Sequence, residues 1–191
     1  MPDTPYEIHA DAFLQARDPS AIGAGVLRRW AGSLKHGAEV LELACGGGLP
    51  VTRELQSAGL RVWAIDASPT LVAAFRSRFP DIPVQCATVQ ASDFFARRFD
   101  AVVAVGLMFL LPDAEQTALI AKVTAALNPG GHFLFTAPTE TCEWQDVLTG
   151  QACRSLGRQR YEDCFNECGL HLHDTFCDEG GNHYYDVLRA R

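Results

Sequence analysis

The chain has 191 residues, 48% of them hydrophobic and 20% charged, with a formal net charge of -7. This length fits one domain whose core needs neither disulfide nor metal staples, and the composition excludes disordered and fibrous classes. The acidic balance argues against a nucleic-acid partner, because binding to phosphates is driven by a basic face that releases counterions.

Before Val40 the chain reads as one or two helices, "HADAFLQAR" and "AIGAGVLRRWAGSL". From there, short apolar runs alternate with amphipathic stretches. "AEVLELA" predicts a buried strand, and "PVTRELQSAG" a helix with Pro50 in its first turn and Gly59 past its end. "RVWAID" is the next strand. "SPTLVAAFRSRF" is a helix capped by Ser68 with Pro69 at its first position. "PVQCATV" and "FDAVVAVGLM" predict strands three and four. "DAEQTALIAKVTAALNPGG" is a helix capped by Asp113 and stopped at Asn128-Pro129-Gly130, and "HFLFTAP" is strand five. "TETCEWQDVLTGQACRSLG" is polar and reads as irregular. "RQRYEDCFNECG" is a helix ended by Gly169, and "LHLHDTFCDE" and "HYYDVLRAR" are two strands joined through Gly180, Gly181 and Asn182. The alternation of strand and helix predicts an α/β fold, a Rossmann-like, seven-stranded, mostly parallel sheet with helices on both faces and an antiparallel pair at its C-terminal end.

The seven cysteines include no CxxC, and neither Cys164 with Cys168 nor His171 with His173 has the spacing of a zinc motif, so no metal is expected. His171 and His173 alternate on a strand and share a face. Cys142, Cys153 and Cys164 are the thiols that a thiophilic ligand would need. The first residues show neither the basic nor the apolar region of a secretory signal, and no apolar run reaches the ~20 residues that span a bilayer. The expectation is a cytoplasmic protein with reduced thiols and no membrane partner, a monomer or weak homodimer.

The chemistry concentrates in "VLELACGGGLP". In an open α/β sheet, ligands sit beyond the carboxyl ends of the strands, and the first strand-to-helix loop is the usual place. Glycine there permits positive φ and close backbone approach. A dinucleotide site wants GxGxxG, but after Gly46 and Gly48 the third position holds Val51. Glu42 repels pyrophosphate and suits an ammonium group. Asp66 ends the second strand twenty residues after Gly46, where a carboxylate accepts from both hydroxyls of a ribose. The ligand so described has a ribose, a positive amino-acid end and no phosphate, and S-adenosylmethionine meets all three conditions.

These segments resemble the class I S-adenosylmethionine-dependent methyltransferases of small-molecule type. "VLELACGGG" is similar to their first motif, with Ala44 where a glycine usually stands. "AIDASPTLV" is similar to the second-strand motif, "FDAVVAVGLMFLL" to strand four and its exit loop, and "ALNPGGHFLFTAP" to strand five. The resemblance implies residues 1–37 as an N-terminal helical lid, 38–138 as the cofactor-binding core, and 139–191 as substrate loop, helix and C-terminal hairpin. It implies cofactor contacts from Glu42, Ala44, Cys45, Gly46, Gly48, Asp66, Ala67, Thr88, Val89 and Val105, and from Tyr6 and Arg17 of the lid. Arg17 would meet the cofactor carboxylate. Thr88 stands where the family often has an acid for the adenine amino group, so adenine recognition falls to backbone and to Ala67 and Val89. "VGLMF" lacks the Asn or Asp followed by two prolines and an aromatic found in members that methylate nucleic-acid bases.

The reaction so implied is in-line methyl transfer to a small-molecule acceptor. The acceptor enters over strands four and five, near Phe109, Trp144, Tyr6 and His9. Alignment supplies much of the rate, so no catalytic base is required, and His9 and Trp144 are the weak candidates for a catalytic role. Two other functions stay open on the sequence: a non-catalytic protein that binds S-adenosylmethionine or S-adenosylhomocysteine, and an NAD(P)-dependent oxidoreductase.

Overall fold

The structure, a computed structural model, describes residues 5–191. Three helices open it, α1 (Pro5–Ile8), α2 (Ala10–Arg17) and α3 (Ala24–Ser33). Then follow β1 (Glu39–Leu43), α4 (Val51–Ser57), β2 (Arg61–Asp66), α5 (Pro69–Arg78), β3 (Val84–Cys86), β4 (Phe99–Ala104), α6 (Asp113–Ala126) and β5 (Leu127–Thr136). The last part holds β6 (Thr141–Gln145), β7 (Ala152–Leu156), α7 (Arg158–Cys168), β8 (Leu170–Cys177) and β9 (His183–Arg189). Seven strands form one sheet in the order β3-β2-β1-β4-β5-β9-β8. The first five are parallel, and β9 runs antiparallel to both β5 and β8. The expected Rossmann-like sheet with its antiparallel end is therefore present.

Strand residues are apolar on both faces because both faces are covered. Leu41, Leu43, Val102 and Phe133 pack with Ile120 of α6 and Phe165 of α7. Val40, Val62, Ala101 and Leu134 pack with Leu27 and Trp30 of α3, Leu55 of α4 and Phe75 of α5. Gln116, fully buried on α6, ties three elements together. Its Nε2 donates to the carbonyls of Leu111 (2.9 Å) and Arg154 (3.2 Å), and its Oε1 accepts from Tyr161 Oη at 2.6 Å.

Local signals explain most boundaries. Ser68 Oγ accepts from the Leu71 amide (3.1 Å) with Pro69 following, and Gly169 closes α7 at φ 73°. Several boundaries differ from expectation. A short helix, α1, precedes the first expected one. Pro112, not Asp113, is the residue before α6; Asp113 sits in its first turn, where its charge still complements the helix dipole. The helix ends at Ala126, and Asn128-Pro129-Gly130 already belong to β5. β3 is only three residues long and β4 stops at Ala104. The register of β8 shifts between Leu172 and Asp174, so the alternation that would put His171 and His173 on one face is broken by a bulge.

The largest difference lies in the segment read as irregular. It forms an antiparallel pair, β6 with β7. Its alternation of half-buried Cys142 and Trp144 with exposed neighbours is a strand pattern, and the turn is built by one side chain. Asp146 Oδ1 accepts from the amides of Leu148 (3.1 Å) and Thr149 (2.7 Å) and from Thr149 Oγ1 (2.8 Å), while Gly150 takes φ 69°.

Candidate active site

The chain order leaves β1 towards β2 and β3 on one side and resumes at β4 on the other, so the switch in strand order lies between β1 and β4. A cavity of about 430 Å³ opens there, past the carboxyl ends of β1, β2, β4 and β5. Glu42, Ala44, Cys45, Gly46, Asp66, Ala67, Thr88, Val89 and Val105 line it, as do Tyr6 and Arg17 from the N-terminal helices and Phe109 after β4. Gly48, His9 and Trp144 do not. Gly48 turns under Phe79, His9 lies just before α2, and Trp144 stands behind Phe109 with ring centroids 5.3 Å apart.

The three consecutive glycines carry the protein's own side chains at short range. A Cβ on Gly46 would lie 2.8 Å from the Phe13 ring, one on Gly47 2.6 Å from Leu14 and 2.5 Å from Arg78, and one on Gly48 2.4 Å from Phe79. Phe13 and Leu14 belong to α2. The loop is thus the floor on which the N-terminal helices rest, a reason for glycine that the sequence did not disclose. Two further contacts hold those helices down. Arg78 Nη1 donates to Asp18 (2.9 Å) and to the Gly47 carbonyl (3.1 Å). Glu7 accepts from the Thr70 amide (3.1 Å), from Thr70 Oγ1 (2.7 Å) and from Ser68 Oγ, all at the start of α5.

Two buried carboxylates flank the loop. Asp66, 8% exposed, accepts from the Gly46 amide (2.8 Å) and the Ser68 amide (2.9 Å). Burial raises its pKa, and those amides pull the other way. Each oxygen retains lone pairs for a ligand's hydroxyl groups. Glu42, 2% exposed, accepts from Thr52 Oγ1 at 2.6 Å. Burial pushes its carboxyl up to about 8, against the pull of Thr52 and Arg17 and with a further push from Asp66. A carboxyl so poised ionises when a cation arrives beside it. Arg17, the cavity's cation, is anchored by the Ile22 carbonyl at 3.2 Å. The set fits a ligand with vicinal hydroxyls, an ammonium and a carboxylate. Among the described residues that line the cavity, Arg17 is the one cation beside the two acids. Apolar Leu71, Val89 and Leu107 wall the far end, where Thr88 uses its Oγ1 on the Ala91 amide at 3.2 Å.

Sequence reasoning pointed to the "TETCEWQD" loop, which ends in Asp146, but missed Thr136, Gln151, Asp178, Asn182 and Tyr184, which also line the cavity. Tyr6 Oη donates to Asp146 Oδ2 (3.2 Å), joining α1 to the β6–β7 turn. The only available signal was the strand alternation around Trp144. Among the described residues no three His, Cys, Asp or Glu side chains form a group able to hold a metal ion. Cys153 and Cys164 are buried, free thiols.

The family model described as "Methyltransferase domain" matches residues 40–131. A ubiquinone biosynthesis O-methyltransferase from Xanthomonas axonopodis pv. citri (strain 306) is 33% identical over 110 residues, 55% of this chain and 45% of the relative. One of the same description from Coxiella burnetii (strain Dugway 5J108-111) is 29% identical over 104 residues, 52% of this chain and 43% of the relative. The chain spans about half the length of the curated relatives it matches. Among solved structures, the CcbJ methyltransferase of Streptomyces caelestis superposes with TM-score 0.75 at 17% identity, over 96% of this chain and 98% of that one. A 1,6-didemethyltoxoflavin-N1-methyltransferase of Burkholderia thailandensis gives 0.69 at 17% identity, over 98% and 91%. At such identity these likenesses speak for the fold.

Proposed function

We propose that the chain is a class I S-adenosylmethionine-dependent methyltransferase and that it transfers a methyl group to a small-molecule acceptor bound in this cavity, a reading supported by the matching methyltransferase-domain model and the similar relatives. The observation that carries the reading is the pairing of Asp66 and Glu42, both buried, on either side of a loop whose Gly46 amide points at Asp66. Bound S-adenosylmethionine supplies the electrophilic methyl, carried on a sulfonium. In this reading Asp66 holds the ribose hydroxyls, Glu42 the ammonium and Arg17 the carboxylate, while Ala67, Thr88 and Val89 meet the adenine. Ala44, Cys45 and Gly46 offer backbone, and Val105 and Phe109 flank the acceptor. Gly48 and Trp144 act one layer out, and His9 is given no role. The helices before residue 37 serve as the lid, and their contacts with the glycine loop exclude water, which favours transfer to a poorly hydrated nucleophile. Aligning acceptor and methyl is worth roughly 7–11 kcal/mol, so a dedicated base is not needed.

The named relatives and neighbours include O- and N-methyltransferases, so likeness does not choose the acceptor atom. The net charge of -7 supports a small molecule over nucleic acid, and no helix among the described residues is long and apolar enough to cross a membrane. We read the protein as cytoplasmic, a monomer or weak homodimer. Calorimetry with S-adenosylmethionine and S-adenosylhomocysteine tests the proposal. Binding should weaken by about tenfold or more in Asp66→Ala, the scale of a lost charged hydrogen-bond pair. Wild-type protein that binds NAD(P) and neither of these compounds would overturn it.

A further inference from the structure

Among the described residues, the charged side chains lining the cavity are Arg17, Glu42, Asp66, Asp146 and Asp178. On the reading of the site given above, the first three serve the cofactor and an acceptor meets the last two. Asp178 is already saturated. Its Oδ1 accepts from the Gly180 and Asn182 amides (2.9 Å each) and from Asn182 Nδ2 (3.1 Å); its Oδ2 accepts from Asn182 Nδ2 (3.0 Å) and Tyr184 Oη (2.9 Å). A carboxylate has about four lone-pair sites.

Asp146 differs. Its Oδ1 is consumed by the turn, but among the described residues Oδ2 accepts only from Tyr6 Oη, at 3.2 Å. One acceptor position is left. Gln151 closes the same turn, where its carbonyl accepts from the Asp146 amide at 2.8 Å. Its Nε2 donates to the Leu110 carbonyl (2.9 Å), which fixes the amide group and leaves Oε1 without a donor among the described residues. Burial raises the Asp146 carboxyl, yet the hydrogen bonds from Thr149, Tyr6 and Leu148 outweigh it and hold it below the usual range, so it is ionised at neutral pH. Phe109, Leu110 and Leu111 supply apolar wall beside this pair of acceptors.

We infer that the acceptor carries a protonated amine on an apolar body, and that Asp146 and Gln151 hold the amine at the β6–β7 turn. An ammonium offers several N–H donors and a charge opposite to that of Asp146, whereas a carboxylate or phosphate would meet like charge and two competing acceptors. An ammonium has no lone pair, so the held amine is a recognition handle and the methylated atom is another one.

The test uses three probes that share a phenyl ring and differ in the head group: phenethylamine, 2-phenylethanol and phenylacetate. Their binding to protein saturated with S-adenosylhomocysteine is measured by ligand-observed NMR. The amine should bind about tenfold tighter than the alcohol, the scale of a charged hydrogen bond, and phenylacetate weakest. Asp146→Asn keeps the Oδ1 acceptor that the turn needs and removes the charge. It should abolish the preference for the amine and leave affinity for S-adenosylhomocysteine unchanged. An amine preference that survives in Asp146→Asn, phenylacetate binding best, or no binding of any probe would overturn the inference. If the wild type takes no S-adenosylhomocysteine, the methyltransferase reading fails separately, and the order of the probes on the free protein still decides for or against the amine.

Discussion

Ala44 sits at φ 55°, in the left-handed region, directly after β1. A Cβ there costs roughly 1–2 kcal/mol, which glycine avoids at the expense of greater freedom in the unfolded chain. Alanine thus occupies a backbone conformation that favours glycine, and the loop keeps its shape under local strain. Ala44→Gly should raise stability by about 1 kcal/mol in urea denaturation. An unchanged or lower midpoint would mean that the methyl packs well enough to offset the strain. Neighbouring Gly46 and Gly48 are constrained differently, since both their positive φ and the rings of Phe13 and Phe79 exclude a side chain. Substitution there acts on the lid and the floor at once.

The segment between β3 and β4 shows how one side chain organises a whole connection. Phe94, Phe95 and Ala96 all have φ between 51° and 58°, three consecutive left-handed residues without a glycine. Lys122 of α6 holds this turn. Its Nζ donates to the carbonyls of Val89 (2.7 Å), Gln90 (3.0 Å) and Ser92 (2.6 Å) and lies 4.5 Å from the centre of the Phe94 ring. Val89 and Gln90 line the cavity, and Thr88 beside them has no carboxylate to offer. On the proposed reading, adenine recognition would depend on where this backbone is held. Lys122→Met keeps the aliphatic stem and strips three carbonyls of their donor. It should weaken S-adenosylhomocysteine binding roughly five- to tenfold, with partial recovery in Lys122→Arg. Equal affinity in all three proteins would remove the adenine loop from the binding account. The β6–β7 hairpin follows the same logic, with Asp146 building the turn and presenting its second oxygen to the cavity.

Taken whole, the molecule buries a carboxyl beside its glycine loop at a cost to its charged form. Glu42 holds its proton up to about pH 8 when folded, while an unfolded glutamate releases it near 4.3. Between those values the native state binds more protons than the unfolded state, so stability falls as pH rises through the window and levels off above it. Asp66 is shifted in the same direction. The carboxyls of Asp146 and Asp178, held low by hydrogen bonds despite burial, act oppositely: they stabilise above their unfolded pKa, and that contribution is lost on acidification below it. The cofactor-free protein should therefore be most stable on the acid side of neutrality. Thermal melts from pH 5 to 8 should fall in the wild type and flatten in Glu42→Gln. A slope that persists in the variant would show that Glu42 is not its source.

Much of this could be read along the chain. Local patterns carry elements: apolar runs that end in Gly, Asp or Pro, a Ser-Pro cap, a glycine past the end of a helix. Their order carries the sheet, because parallel strands joined by helices have few ways to pack. The end proposed for the cofactor was legible as a cluster for the same reason, since Glu42, Ala44, Gly46 and Asp66 sit at the ends of two strands that this topology must place side by side and all line the cavity. The end proposed for the acceptor is lined by Tyr6, Phe109, Asp146, Gln151 and Tyr184, which belong to separate elements with no fixed spacing. Only three-dimensional packing brings α1, the β6–β7 turn and β9 to one wall, and the free lone pair of Asp146 exists only because the turn consumes the others. Local rules act over a few residues, whereas a site's shape and spare hydrogen-bonding capacity depend on which distant side chains arrive there.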